Sequence, residues 1–181
     1  MKKKIINIAS IVIAVLLLVA VLLQIIAMYA GAQNATYEPV SYFKAVGNIF
    51  AAIFGIYYIL AGCKKAEGAE YFRWFMIFFA ILQLIMLLGH KDTDTVSVLC
   101  MTVTFGIMLV LSIAKDLGQK RSLILALCVL VLTAIRMIAL AVAGNFAADW
   151  IFVFTQILLA LTCFVMILAK YQDKKDRGRK V

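Results

Sequence analysis

One proline and one histidine stand among 181 residues, and no aspartate or glutamate falls inside a long apolar run. Each shortage excludes something. With Pro39 alone, read here into the first loop, no spanning helix carries a proline kink. A single histidine, His90, cannot supply a bis-histidine haem pair or the several ligands of a membrane metalloprotease. The four cysteines (Cys63, Cys100, Cys128, Cys163) are scattered with no C-x-x-C, so they read as small apolar residues and not a redox pair. There is no G-x-S-x-G and no phosphate-binding P-loop. Without carboxylates inside the apolar runs, a carboxylate proton relay has no members. No lysine lies mid-run to hold a retinal-type Schiff base. No catalysis, metal or cofactor is expected.

What is present is apolar. Hydrophobic residues make up 66% of the chain, charged ones 15%, and the mean hydropathy is +1.05. Soluble domains run nearer half apolar and a quarter charged. A water-soluble core of this length would leave much of that surface wet. Soluble enzyme, disordered chain and disulfide-stapled secreted module are therefore excluded.

The expected fold class is an all-α integral membrane protein. Six runs reach or approach the ~20 apolar residues that cross a bilayer: about 5–30, 45–63, 72–89, 95–114, 122–143 and 150–169. They are continuously apolar, unlike the ~10-residue alternating strands of a membrane barrel. The loops between them are too short for a folded domain, so residues 1–181 read as one six-helix domain ending in a basic tail, 170–181.

Charge assigns the orientation. With the N-terminus in the cytoplasm, fifteen of the 18 basic residues fall on the inner side, nine of them in the first and last segments and the rest in the inner loops. Only Lys44 and Lys91 lie outside, and Arg136 lies within helix five. Both termini are expected in the cytoplasm of a plasma-membrane protein. Tyr29, Tyr37, Tyr42 and Trp150 fall near the outer interface and Tyr71, Trp74 and Tyr171 near the inner one, where such rings prefer to sit. A rival for helix one is a signal peptide cut after Ala30-Gly31-Ala32. Its apolar run far exceeds the ~7–15 residues of a signal core, so a retained helix is preferred.

A second expectation is a threefold repeat of helical hairpins. Helices one, three and five share one polar residue followed by an apolar run (Gln24, Gln83, Arg136). Helices two and four share Phe54-Gly55-Ile56 and Phe105-Gly106-Ile107, each followed by a lysine ten residues after the phenylalanine.

Polar side chains inside a membrane are costly and mark candidate sites. Arg136 is the sharpest, about seven residues or ~10 Å from the outer end of its helix. Its candidate partners are the outer acids Glu38, Asp92, Asp94 and Asp149. The alternatives are a guanidinium that snorkels to lipid phosphate and one that faces inward to hold a carboxylate or phosphate. Gln24, Gln83 and Gln156 sit at similar depth, with Thr102 and Thr104, and Asn48 is shallower. The inner halves offer chiefly Asn7, Ser10 and Ser112. The asymmetry reads either as interhelical glue or as an outward polar pocket lined by Gln24, Gln83, Arg136 and Gln156. Gly47, Ala51 and Gly55 form a small-residue stripe suited to close helix packing. His90 with Asp92 and Asp94 reads as a solvated turn ahead of a metal site, and Asn34-Ala35-Thr36 is a glycosylation sequon on the outer side.

The functional expectation is a protein that binds or transports a small molecule, an anion among the candidates. The alternative is a non-catalytic membrane subunit, immunity or assembly factor acting through helix packing, with a membrane-protein partner. In size, helix count and outward pocket the chain resembles the substrate-binding component of a multisubunit vitamin importer, though it lacks that family's A-x-x-x-A stripe on helix one. The expected partners are the bilayer itself and anionic inner-leaflet lipid, drawn to the basic tail at ~1 kcal/mol per basic residue. The positive charge reports topology and not nucleic-acid binding.

Overall fold

The computed structural model describes the backbone of residues 2–33, 39–64, 68–88, 95–114, 117–142 and 146–178. The described residues form six α-helices: α1 (Lys2–Gln33), α2 (Pro39–Lys64), α3 (Gly68–Leu88), α4 (Thr95–Ile113), α5 (Gln119–Val142) and α6 (Phe146–Gly178). Each contains a stretch long and apolar enough to cross a membrane.

Several boundaries differ from the sequence expectation. Pro39 is the first residue of α2 and not part of a loop, and Lys44 lies inside that helix. Proline at the first helical position loses no hydrogen bond, and its fixed φ suits the first turn. The apolar runs marked only the hydrophobic middle of each helix, whereas backbone hydrogen bonding continues beyond it. The same reasoning accounts for the earlier start of α3. The basic tail stays helical to Gly178, since lysine, arginine and glutamine are good helix formers. Between α4 and α5, Gly118 has φ +72°. Its carbonyl accepts from the Ser122 amide at 3.1 Å and the Ser122 hydroxyl at 3.0 Å, which closes the first turn of α5.

Contacts fix the directions. Tyr57 meets Tyr71, Tyr58 meets Phe75 and Phe54 meets Phe78, so α2 and α3 run antiparallel. Along α3 and α6, Lys170 lies over Phe72, Cys163 over Met76 and Gln156 beside Gln83, again antiparallel. Asn48 meets Thr155 and Gly55 meets Leu159, so α2 runs parallel to α6. Each helix packs on its sequence neighbours and α6 closes the ring on α1; α6 also packs on α2 and α3. The most extensive pairings are α1 with α2, α3 with α4 and α5 with α6.

Helix α6 is the axis of this arrangement. Of its apolar stretch 61% is buried, against 22–39% in the other five. Leu158, Leu159, Met166 and Ile167 of α6 pack with Leu17, Ile59, Phe75, Met76 and Phe79 in the core. The outward faces of α1 to α5 are apolar as well: Ile8, Val15 and Leu22 on α1, Phe50 and Tyr57 on α2, and Leu127 and Ile138 on α5 stand exposed.

Candidate polar cavity between helices three to six

Toward the end of the bundle where α1, α3 and α5 finish, four helices line a small, half-open cavity. It is lined by Gln83 of α3, Cys100, Met101 and Thr104 of α4, Leu132, Thr133 and Arg136 of α5, and Gln156 of α6. Its volume is about 10 Å³, the room of roughly one water. Pockets that enclose a metabolite measure roughly 300–1,000 Å³, so a vitamin-sized molecule has no place in it.

Helix spacing explains the lining. Cys100, Met101 and Thr104 recur at one turn on α4, as do Leu132, Thr133 and Arg136 on α5, so each trio shares a face. The Thr133 hydroxyl donates to the Val129 carbonyl at 2.8 Å and has spent its proton there. The Gln83 amide Nε2 donates to Gln156 Oε1 at 2.7 Å. This bond leaves the other half of the Gln156 amide, Nε2, buried and with no hydrogen-bond partner among the described residues. Arg136 is half-buried, and its guanidinium carbon lies 5.6 Å from the centre of the Phe152 ring. That cation–π contact contributes about 0.5–2 kcal/mol and holds the head group beside the cavity. Among the described residues no lining residue is acidic.

Three of the four residues expected to share a pocket therefore do: Gln83, Arg136 and Gln156. Gln24 does not. It lies on the opposite side of α6, where Asn48 Nδ2 donates to Gln24 Oε1 at 3.0 Å and to Thr155 Oγ1 at 3.1 Å. Thr155 in turn donates to the Ile151 carbonyl at 3.0 Å. This cluster ties α1, α2 and α6 together. Successive residues of α6, Thr155 and Gln156, thus serve two clusters on two sides. Thr102 points away from both; it is exposed and bonds the Val98 carbonyl of its own helix.

The small-residue stripe divides. A Cβ on Gly55 would lie 2.7 Å from Leu159 and 3.1 Å from Leu17, so α1 and α6 close tightly on it. Ala51 is buried. A Cβ on Gly47 would meet nothing within 4 Å. Sequence reasoning passed over Gly62, where a Cβ would lie 2.7 Å from Met166. It also passed over Thr133 and Thr155, whose hydroxyls look unremarkable in an apolar run. Among the described residues no group of histidine, cysteine and acidic side chains could hold a metal. His90, Asp92, Asp94, Glu38 and the Asn34 sequon lie outside the described residues; Asp149 lies near the start of α6, its side chain outside the described ones.

No protein family, curated protein or solved structure matches this chain.

Proposed function

We propose that the chain is a multi-pass protein of the plasma membrane, both termini cytoplasmic, that binds or carries a small anionic solute at the cavity beside Arg136 and performs no catalysis. Membrane residence is supported by the apolar outward faces of five helices, which in water would form an exposed patch far beyond what soluble monomers carry. The orientation is supported by the basic residues at the start of α1 and the end of α6; anionic inner-leaflet lipid is the partner this charge suits. The three hairpin pairings of the bundle fit a repeated-hairpin origin. The observation that carries the binding reading is the convergence of Gln83, Arg136 and Gln156, from three helices, on one cavity. Polar groups cost free energy in a membrane interior, and a cation more so; a site that gathers them gains most when an anion arrives.

The test is a thermal-shift screen of the full chain in detergent against small carboxylates, inorganic phosphate and simple anions, run beside Arg136→Gln. A stabilisation in the parent that is absent in the variant supports the reading. Equal responses across the panel in both proteins overturn it.

One observation favours a second reading, a non-catalytic subunit, immunity or assembly factor held to a membrane partner by helix packing. The Gln24–Asn48–Thr155 cluster joins three helices by side-chain hydrogen bonds, as interhelical glue does. On that reading the polar residues serve rigidity alone, and the solute screen returns no stabilisation.

A further inference from the structure

Helix α6 is uncovered along one line. Between Val153 and Ala169 every one of its residues is buried except Phe154, Ile157, Leu161, Phe164 and Leu168, which are half-buried. They recur at alternating steps of three and four, so they stand one above another on a single face. The arrangement of the helices accounts for the line. Helix α1 packs on α2, α2 on α3, α3 on α4 and α4 on α5, but among the described residues α1 and α5 do not pack on one another. Both pack on α6, and the opening between them lies over it. Tyr171 is the next residue in the spacing, and its hydroxyl lies 3.2 Å from that of Ser122 on α5, so α5 borders the line. The result is a shallow apolar groove with α6 as its floor and α1 and α5 as its walls. We infer that this groove seats an acyl chain of an anionic phospholipid of the inner leaflet, with the headgroup at the basic end of the bundle. The inference rests on the reading of the chain as a membrane protein with that end in the cytoplasm.

Three features select this occupant. The first is the floor, which consists of large side chains. Helices that pack closely in membranes present small ones, so a second copy or a partner helix finds no close approach here. A flexible hydrocarbon chain follows an uneven floor without one. The second is length. From Tyr171 to Leu161 the line runs ten residues, about 15 Å, or half of the ~30 Å of hydrocarbon, the depth of one leaflet. The third is charge. Lys4 stands exposed in the first turn of α1, and Lys120 and Arg121 stand exposed in the first turn of α5, so both walls begin with basic residues at this end. Beyond Tyr171 the same spacing leads to Lys175, still within α6. Residues 170–181 hold six basic residues against Asp173 and Asp176, which fall off that spacing. Basic residues at the surface attract anionic headgroups and give a zwitterionic lipid little advantage.

The experiment uses the full chain in bilayers, with Trp74 and Trp150 replaced by phenylalanine and one reporter introduced: Phe164→Trp on the floor, or Val15→Trp on the outward face of α1. Quenching of each reporter by phosphatidylglycerol with brominated acyl chains is compared with quenching by brominated phosphatidylcholine at equal mole fraction. The expected ratio of anionic to zwitterionic occupancy is roughly fivefold or more on the floor, the weight of at least one basic residue near the surface, and about one on the outward face. Lys175→Gln lowers the floor ratio, and an unchanged ratio overturns the seating of the headgroup at the end of α6. A floor ratio near one overturns the inference. A floor reporter that neither lipid quenches, beside an outward reporter that both quench, means that protein covers the line, and the lipid assignment falls. If neither reporter is quenched, the membrane reading itself falls. Should the variants lacking Trp74 and Trp150 not fold, native mass spectrometry of the parent released from mixed micelles decides. Retention of phosphatidylglycerol over phosphatidylcholine supports the inference, and equal retention or none overturns it.

Discussion

Gln83 and Gln156, 73 residues apart, share a hydrogen bond of 2.7 Å inside the bundle, each almost wholly buried. The bond joins the first third of α6 to α3. Amide bonds between membrane helices average about 0.6 kcal/mol and reach about 1.7. Gln83→Leu and Gln156→Leu should each lower stability by that order. The double variant should cost clearly less than the two single losses combined, because both remove one bond. Unfolding measured in detergent for the four proteins closes the cycle. Full additivity would mean that the bond contributes nothing.

On the other side of α6, Asn48 is the hub. It donates to Gln24 and Thr155, while its own Oδ1 is buried with no partner among the described residues. Asn48→Ala should cost about 1 kcal/mol, less than two lost bonds suggest, because the orphaned oxygen leaves with the side chain. Gln24→Leu should cost less still, since Asn48 keeps its bond to Thr155. An inverted order in chemical denaturation would contradict the hub.

Two glycines of one helix should behave oppositely. Gly55→Ala places a Cβ against the flexible ends of Leu159 and Leu17, which give way at little cost. Gly55→Val forces more volume between three helices and should cost roughly 1–3 kcal/mol. Gly47→Ala meets nothing within 4 Å and should leave stability unchanged or raise it by up to about 1 kcal/mol, since glycine is a poor helix residue. Midpoints of thermal unfolding separate the three.

Gly118→Ala tests backbone and not packing. No atom lies within 4 Å of the added methyl, but φ is +72°. An L-residue there loses roughly 1–2 kcal/mol. Gly106→Ala, also without a neighbour within 4 Å but inside α4, is the control and should not destabilise the protein.

The six helices were legible because twenty-odd apolar residues in a row admit almost no other structure. Their ends were not. Pro39 and Lys44 look like loop residues, yet a proline in the first turn is no breaker and a lysine can sit on a helix beyond its apolar middle. The depth of the polar residues was legible too, being a matter of counting along a helix. Their direction was not. Gln24 and Gln83 occupy matching positions in α1 and α3, but each faces whichever neighbour its helix packs on, and that is set by the whole bundle. The same limit hid the split between Thr155 and Gln156. In a helix apolar all round, no stripe marks which face meets which partner. Gly55 and Gly47 illustrate it for small residues, eight positions apart on α2 and only one of them closed over.

Helix α6 has 33 residues, roughly 50 Å of rod at 1.5 Å per residue, against about 30 Å of hydrocarbon. Its first third holds Thr155 and Gln156, one in each polar cluster, and its far end is the basic stretch to Gly178. A rigid rod transmits torque. A force or twist applied to the charged end is delivered, without an intervening hinge, to both hydrogen-bonded clusters at once, and a rearrangement in either one moves the charged end in return.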